Sequence, residues 1–325
     1  MSQFKVVVTD YEYATLDPEK EVLENIGAEI VPAQCRTEEE VIAAAKDADG
    51  IINQYAPITR RVIEQLDRCK VIARYGIGVD TIDIKAATEK GIAVGNVTDY
   101  CLDEVSDHAL ALLMSAARKV TVLDRAVKQG TWDYKVGTPI FRLRDRTLGL
   151  VGFGKIPQQL AQKAQALGLN VIAYDPYMSP DIAQEKKVTL VSLDELSAQS
   201  DFISVHAPLL ESTRGMISQP QFELMKSEAI LINTSRGPVV DEDALIAALQ
   251  QNKIAGAALD VLEQEPVPAD HPFLSMDQVI LNPHVAWYAE ESERELKRKT
   301  AQNVADTLTG GLPHYLVNKE LKPLE

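Results

Sequence analysis

The chain alternates short apolar runs with amphipathic stretches almost throughout, and that order leaves few folds open to it. Lys5–Thr9 reads as a buried strand, Glu19–Ile26 as an amphipathic helix stopped at Gly27, and Glu29–Val31 as the next strand. Glu38–Ala45 is helical, and strands follow at Gly50–Asn53, Val71–Arg74 and Ile92–Val94. Strands apolar on both faces need cover on both, and an intervening helix returns the next strand in the same direction. The pattern predicts a parallel sheet flanked by helices. A long helix is expected over Leu102–Val120, with Leu110, Leu112, Leu113 and Met114 on its apolar side, and Trp132–Leu143 is irregular and aromatic. A second series then runs through Thr147–Val151, Val171–Tyr174, Phe202–Val205, Ile230–Ile232, Ala257–Asp260 and Val279–Leu281, and a last helix spans Glu290–Thr309. The 325 residues are enough for two cores.

Charge narrows the partners. A net charge of −15 argues against direct binding to nucleic acid or an anionic membrane, which needs a basic face. An anionic ligand must instead be held by local positive charge, helix N-termini and backbone amides. The three cysteines, Cys35, Cys69 and Cys101, are odd in number and widely spaced, which predicts free thiols rather than a disulfide framework. No cluster has metal-ligand spacing, so no metal is expected. There is no long apolar run, and Met1–Val8 lacks a signal-peptide pattern, so a cytoplasmic location is expected.

The second series opens on Val151-Gly152-Phe153-Gly154-Lys155-Ile156-Pro157, a glycine pair between a strand and a helix. Gly152 allows a tight turn, Gly154 allows close backbone approach to a pyrophosphate, and the helix N-terminus offers amide donors with partial positive charge. Pro157 stands where a third glycine is usual; proline is well tolerated in a first helical turn. Asp175 ends the following strand, 23 positions past Gly152. That is close to the roughly 20 expected of an acid that binds the adenosine ribose. A carboxylate there repels a 2′-phosphate, so NAD is expected in preference to NADP.

Three residues further on are hard to explain by packing. Arg236 lies in Asn233-Thr234-Ser235-Arg236-Gly237, Glu265 in Leu262-Glu263-Gln264-Glu265-Pro266, and His284 in Leu281-Asn282-Pro283-His284-Val285-Ala286-Trp287. A guanidinium can clamp a carboxylate with two parallel hydrogen bonds. A histidine backed by a carboxylate can give and take a proton near neutral pH. Such a set would hold a keto or hydroxy acid and move a proton.

These motifs, with Arg74-Tyr75-Gly76-Ile77-Gly78-Val79-Asp80, His206-Ala207-Pro208-Leu209 and Ala258-Leu259-Asp260-Val261, give the chain a resemblance to the D-isomer-specific 2-hydroxyacid dehydrogenase family. The resemblance covers nearly the whole chain. Trp287, Pro157 and the Arg74-Tyr75-Gly76 stretch look like the branch containing C-terminal-binding protein. The family implies an α/β fold of two Rossmann-like parallel-sheet domains, a flavodoxin-like substrate domain and a dinucleotide-binding domain, with an active-site cleft between them. Residues 1–100 and 288–325 would form the substrate domain and 101–287 the NAD-binding domain. A homodimer through residues about 101–146 is also implied.

The resemblance assigns roles residue by residue. Backbone amides of Gly76, Ile77 and Gly78 would receive the substrate carboxylate, Arg236 would bind the carboxylate and carbonyl, and His284 would exchange the proton with Glu265 stabilising the imidazolium. Gly152, Phe153, Gly154, Lys155, Ile156 and Asp175 would bind the cofactor. So would His206, Ala207, Pro208, Thr213, Thr234, Ser235, Asp260 and Val105, with Arg236 and His284 beside the nicotinamide. Arg74, Trp287 and Tyr55 would select the substrate. Plainer readings stay open for several: Thr234, Val105 and Tyr55 as packing, His206 as a structural histidine, Thr213 and Asp260 as turn or cap residues, Trp287 as a core aromatic, Arg74 as an ion pair. His108, His271 and His314 lack a motif and read as structural or solvated.

The expected activity is NAD-dependent interconversion of a 2-oxo acid and a D-2-hydroxy acid. Its rivals are a nicotinamide-sensing, corepressor-like binding module and, within the family, a phosphoglycerate or phosphite dehydrogenase.

Overall fold

The computed structural model describes residues 3–321. Met1 and Ser2 of the N-terminal stretch, and the last four residues of the 288–325 segment, lie outside the described residues. The chain divides into two compact units, one of residues 1–101 and 289–325, the other of residues 102–288.

In the first unit five strands, β1 (Phe4–Val8), β2 (Ala28–Pro32), β3 (Gly50–Asn53), β4 (Val71–Arg74) and β5 (Ala93–Gly95), form one sheet in the order β2-β1-β3-β4-β5. Every neighbouring pair is parallel. This is the flavodoxin-like order, with its topological switch between β1 and β3. β3 and β4 are buried along their whole length, as strands covered on both faces must be. Val7, Ile51, Ile72 and Val94 share a core with Val41, Val62, Ile63 and Leu66. The helix Glu38–Ala45 starts at a capping box in which Thr37 and Glu40 satisfy each other's backbone N–H. The chain's return is fixed by buried polar groups: Asn318 accepts the Val94 N–H at 2.8 Å and donates to Ile92 O at 2.9 Å.

The second unit holds β6 (Thr147–Val151), β7 (Asn170–Tyr174), β8 (Thr189–Leu190), β9 (Phe202–Val205), β10 (Ile230–Asn233), β11 (Gly256–Leu259) and β12 (Val279–Leu281). They form one seven-stranded sheet in the order β12-β11-β10-β9-β6-β7-β8, again wholly parallel. Counted within the unit, this is the Rossmann order extended by one strand. Separate apolar clusters pack around the sheet, one around Leu231, Leu245 and Phe273, the other around Leu113, Leu150 and Leu160. The switch point lies between β6 and β9, where ligands of such sheets bind beyond the strand ends.

Two elements depart from the expected pattern. The two-residue β8 is too short to carry a periodicity. The long helix predicted over Leu102–Val120 ends at Ala117; Lys119 turns left-handed at φ 55°, and a second helix runs over Val120–Lys128. No side chain of that second helix is buried, and Trp132 and Tyr134 after it are 88% and 76% exposed.

Candidate active site

The turn after β6 is built as the glycine pair requires. Gly152 has φ +90°, and a Cβ there would stand 2.9 Å from Ala207 N, so a side chain would strike the neighbouring strand end across the switch point. Gly154 is the N-cap of the helix Lys155–Ala166, with no side chain capping it. A Cβ at Gly154 would meet no atom of the described residues within 4 Å, leaving open space in front of the helix N-terminus. Lys155 and Ile156 form the first turn, Pro157 is buried beneath it, and the Phe153 side chain is wholly buried. Asp175 lies just beyond β7 and accepts the Phe153 N–H at 2.9 Å and the Tyr177 N–H at 2.9 Å. It therefore anchors the glycine turn, and its carboxylate retains acceptor capacity for ribose hydroxyls. Amides, open space and acid together fit a dinucleotide's diphosphate and ribose.

Across the switch point, His206 follows β9. The residue as a whole is half-buried, and its Nε2 is 2.8 Å from Ser204 Oγ, on a residue only 1% exposed. Burial pushes this imidazole down to about 3, so it is neutral at physiological pH. Ala207 O accepts the Ser235 hydroxyl at 2.7 Å, which ties the His206 turn to the segment after β10. Pro208 O accepts the Thr213 hydroxyl at 2.6 Å, and the same hydroxyl receives the Leu210 N–H at 2.8 Å. Thr213 thus closes its own turn. The Thr234 side chain is buried, and its hydroxyl has no hydrogen-bond partner among the described residues. Val105, on the helix Leu102–Ala117, is buried as well.

Arg236, Glu265 and His284 belong to three segments beyond the ends of β10, β11 and β12. Asn233 holds the first, accepting the Ser235 N–H at 3.0 Å and donating to Arg236 O at 3.0 Å. Gly237 lets that segment lie against the next: a Cβ there would stand 2.0 Å from Leu262 O. Glu265 Oε1 accepts the Leu262 N–H at 3.0 Å, and Oε2 lies 2.7 Å from His284 Nδ1. Burial alone would raise the Glu265 carboxyl. The His284 hydrogen bond and charge, the Leu262 N–H and the Arg236 charge outweigh it and hold the group below its usual range. A carboxylate only accepts, so Nδ1 carries the proton between them.

The His284 turn is itself pinned. His284 has φ 53°, a left-handed conformation uncommon outside glycine, and its N–H donates to Asp260 O at 2.8 Å. Asp260, 1% exposed, accepts the Val285 and Ala286 N–H groups at 2.9 Å each. Trp287 donates its indole N–H to His284 O at 2.9 Å. Asp260 is therefore a scaffold of the turn, whatever else its oxygens touch.

In the first unit, Arg74 ends β4 and is buried, with its guanidinium 5.8 Å from the Tyr55 ring centre. Its Nη1 lies over Gly76, 1.8 Å from where a Cβ would be. Ile77 O accepts the Asn96 amide at 2.7 Å, and Gly76 O accepts the Val97 N–H at 3.0 Å, which fixes the Gly76-Ile77-Gly78 loop. Tyr55 is 37% exposed, and its N–H donates to Asp10 Oδ2 at 2.5 Å.

Glu242 carries no signal in the sequence, and His108 and His271 read there as structural or solvated. His108 lies 3.0 Å from Asn282 Oδ1 and 3.7 Å from Asp260 Oδ1, behind the His284 turn. His271 lies 2.9 Å from Glu242 Oε1. Neither histidine has a local motif, because its partner is distant in the chain. Among the described residues no group of acids, histidines and cysteines could hold a metal ion. None of their helices is long and apolar enough to cross a membrane.

Residues 110–286 match the family described as D-isomer specific 2-hydroxyacid dehydrogenase, NAD binding domain. The chain is 40% identical over 325 residues to the D-3-phosphoglycerate dehydrogenase of Methanocaldococcus jannaschii, covering 99% of this chain but only 60% of that protein. It is 40% identical over 288 residues to the glyoxylate reductase of Korarchaeum cryptofilum, covering 86% of each. The crystal structure of a glyoxylate reductase from Paecilomyes thermophila is similar with a TM-score of 0.89 and 30% identity, over 99% of both chains.

Proposed function

The chain belongs to the D-isomer-specific 2-hydroxyacid dehydrogenase family, and from that membership we propose that it interconverts a 2-oxo acid and a D-2-hydroxy acid with NAD. The observation that carries the reading is the 2.7 Å contact between His284 and Glu265, with the Arg236 charge acting on the same carboxylate. Arg236 binds the substrate carboxylate and orients the carbonyl. His284 delivers a proton from Nε2 to the carbonyl oxygen in reduction and removes it in oxidation. Glu265 holds the ring's orientation and stabilises its charged form. NADH, when bound, supplies the hydride. The Gly152–Ile156 turn holds the diphosphate, and Asp175 receives the ribose hydroxyls and disfavours a 2′-phosphate. Thr234, Val105, Asp260 and the His206-Ala207-Pro208 turn border the nicotinamide side.

For the substrate, amides of Gly76, Ile77 and Gly78 take the carboxylate. Arg74 and Trp287 set selectivity, a reading suggested by their resemblance to the branch containing C-terminal-binding protein, and Tyr55 lies beside the Arg74 guanidinium. The indole bond to His284 O supports a place for Trp287 at the catalytic turn, where its aromatic face would favour acids with a bulky or apolar tail. The aromatic surface around Trp132, Tyr134 and Phe141 supports a homodimer through residues about 101–146, which sedimentation would test.

The experiment is NADH oxidation with glyoxylate, hydroxypyruvate, its 3-phosphate, phenylpyruvate and a thioether 2-oxo acid. Phosphite with NAD is the control for inorganic oxyanions. Turnover of at least one organic acid is expected. Tight NADH binding without turnover on any of them would favour a nicotinamide sensor, and turnover of phosphite alone would move the chain to inorganic substrates.

A further inference from the structure

Glu265 sits on the irregular segment between β11 and the short helix Pro272–Ser275, and such a segment does not by itself fix a side chain to within a few tenths of an ångström. One side chain from a different element grips it at both ends. Glu242, the first residue of the helix Glu242–Gln250, accepts the Glu263 N–H at Oε2, 3.0 Å away. Its Oε1 lies 2.9 Å from His271 Nε2, and the two side chains are only 15% and 11% exposed. His271 Nδ1 in turn accepts the Phe273 N–H at 3.2 Å. A ring nitrogen that accepts carries no proton, so Nε2 bears it and donates to Glu242. The helix is anchored too: Asp241 caps it through the Ala244 N–H and receives the Ser218 hydroxyl at 2.7 Å.

We propose that Glu242 and His271 form a clasp that sets the reach of Glu265 to His284, making both of them positioning residues for proton transfer. The proposal rests on the reading of His284 as the acid-base group. The clasp closes over the backbone at Glu263, two residues before Glu265, and on the side where Gly237 brings the Arg236 segment against Leu262. One carboxylate therefore registers the segment that carries Glu265 against the one that carries Arg236. A misplacement of about 1 Å at such a pair can cost about a hundredfold in rate.

The test variant is Glu242→Gln. An amide offers one oxygen where two donors converge, so it must abandon either the Glu263 N–H or the His271 proton. Charged or titratable groups around the His284 turn include Glu265, Arg236, Asp260 and His108, and this variant alters none of them. On the full chain with NADH and the best 2-oxo acid, kcat should fall about ten- to a hundredfold while NADH affinity holds. The alkaline limb of the kcat profile should move to lower pH. His271→Gln, which keeps a donor for Glu242, should retain more activity than His271→Ala. Lower thermal stability of Glu242→Gln, with wild-type kcat and pH profile, would reduce the clasp to a structural contact and overturn the proposal. Should the wild type reduce no acid, the enzymatic reading fails, and NMR titration of the His284 ring still decides the clasp. A midpoint lowered by Glu242→Gln supports it, and an unmoved one overturns it.

Discussion

Glu265 Oε2 and His284 Nδ1 lie 2.7 Å apart although the two residues come from segments beyond different strands of the same sheet. Glu265 is held below the usual carboxylate range, so it stays ionised as pH falls toward about 4.3, the ordinary value for a glutamate. The sign follows: any contribution of this pair to activity is present above that value and is lost as pH falls through the lower, folded-state value. The kcat for reduction should therefore stay level from neutral pH down to about pH 5. Glu265→Gln should lower it on the order of a hundredfold. A full-rate Gln variant would show that the carboxylate has no part in proton transfer.

The cofactor's ribose is the second test. Asp175→Ala with Pro176→Arg should shift the ratio of kcat/KM for NAD over NADP toward NADP by at least about tenfold, since a repelling charge is replaced by an attracting one. Unchanged selectivity removes the ribose role from Asp175. The single Asp175→Ala change should weaken both cofactors, because this carboxylate also anchors the Phe153 N–H.

The two glycines of the turn should respond differently. Gly152→Ala forces a side chain into φ +90° and against Ala207 N, and should cost about 1–3 kcal/mol of stability, read as a lowered Tm. Gly154→Ala meets no protein atom and should leave Tm within a degree or two, while NADH affinity measured by fluorescence falls. Equal affinity in Gly154→Ala and wild type would mean that the diphosphate does not approach here.

His206 gives a stability prediction with pH. Its ring is neutral in the fold until about pH 3, whereas in the unfolded chain it takes a proton near the ordinary value of about 6.5. The unfolded state therefore binds more protons between those values. The histidine's stabilisation is complete above about pH 6.5 and is lost as pH falls toward 3. Denaturation of His206→Gln, which preserves a partner for Ser204, should show a shallower loss of stability over that window. Parallel curves for variant and wild type would refute the assignment.

Much of this was legible because it is local. Runs such as Val71–Arg74 and Ile230–Ile232, apolar on both faces, announce buried parallel strands. The Gly152–Asp175 spacing places its own turn, and the Arg236, Glu265 and His284 motifs lie at strand ends. What stayed hidden depends on partners far along the chain. Glu242 reads as an ordinary acid in a first helical turn, and its bond to His271 spans 29 positions. The break at Lys119 leaves the helical periodicity intact on either side, so nothing in the pattern marks it. Thr213 looks equally suited to ligand or turn, and only its three short-range hydrogen bonds show how the turn uses it.

The central claim is that one histidine moves the proton while the nicotinamide site stands independently of it. The most direct measurement compares His284→Ala with wild type on the best 2-oxo acid, in kcat and NADH affinity. His284→Ala should lose at least about a hundredfold in kcat with NADH affinity unchanged. Wild-type turnover in the variant would contradict it.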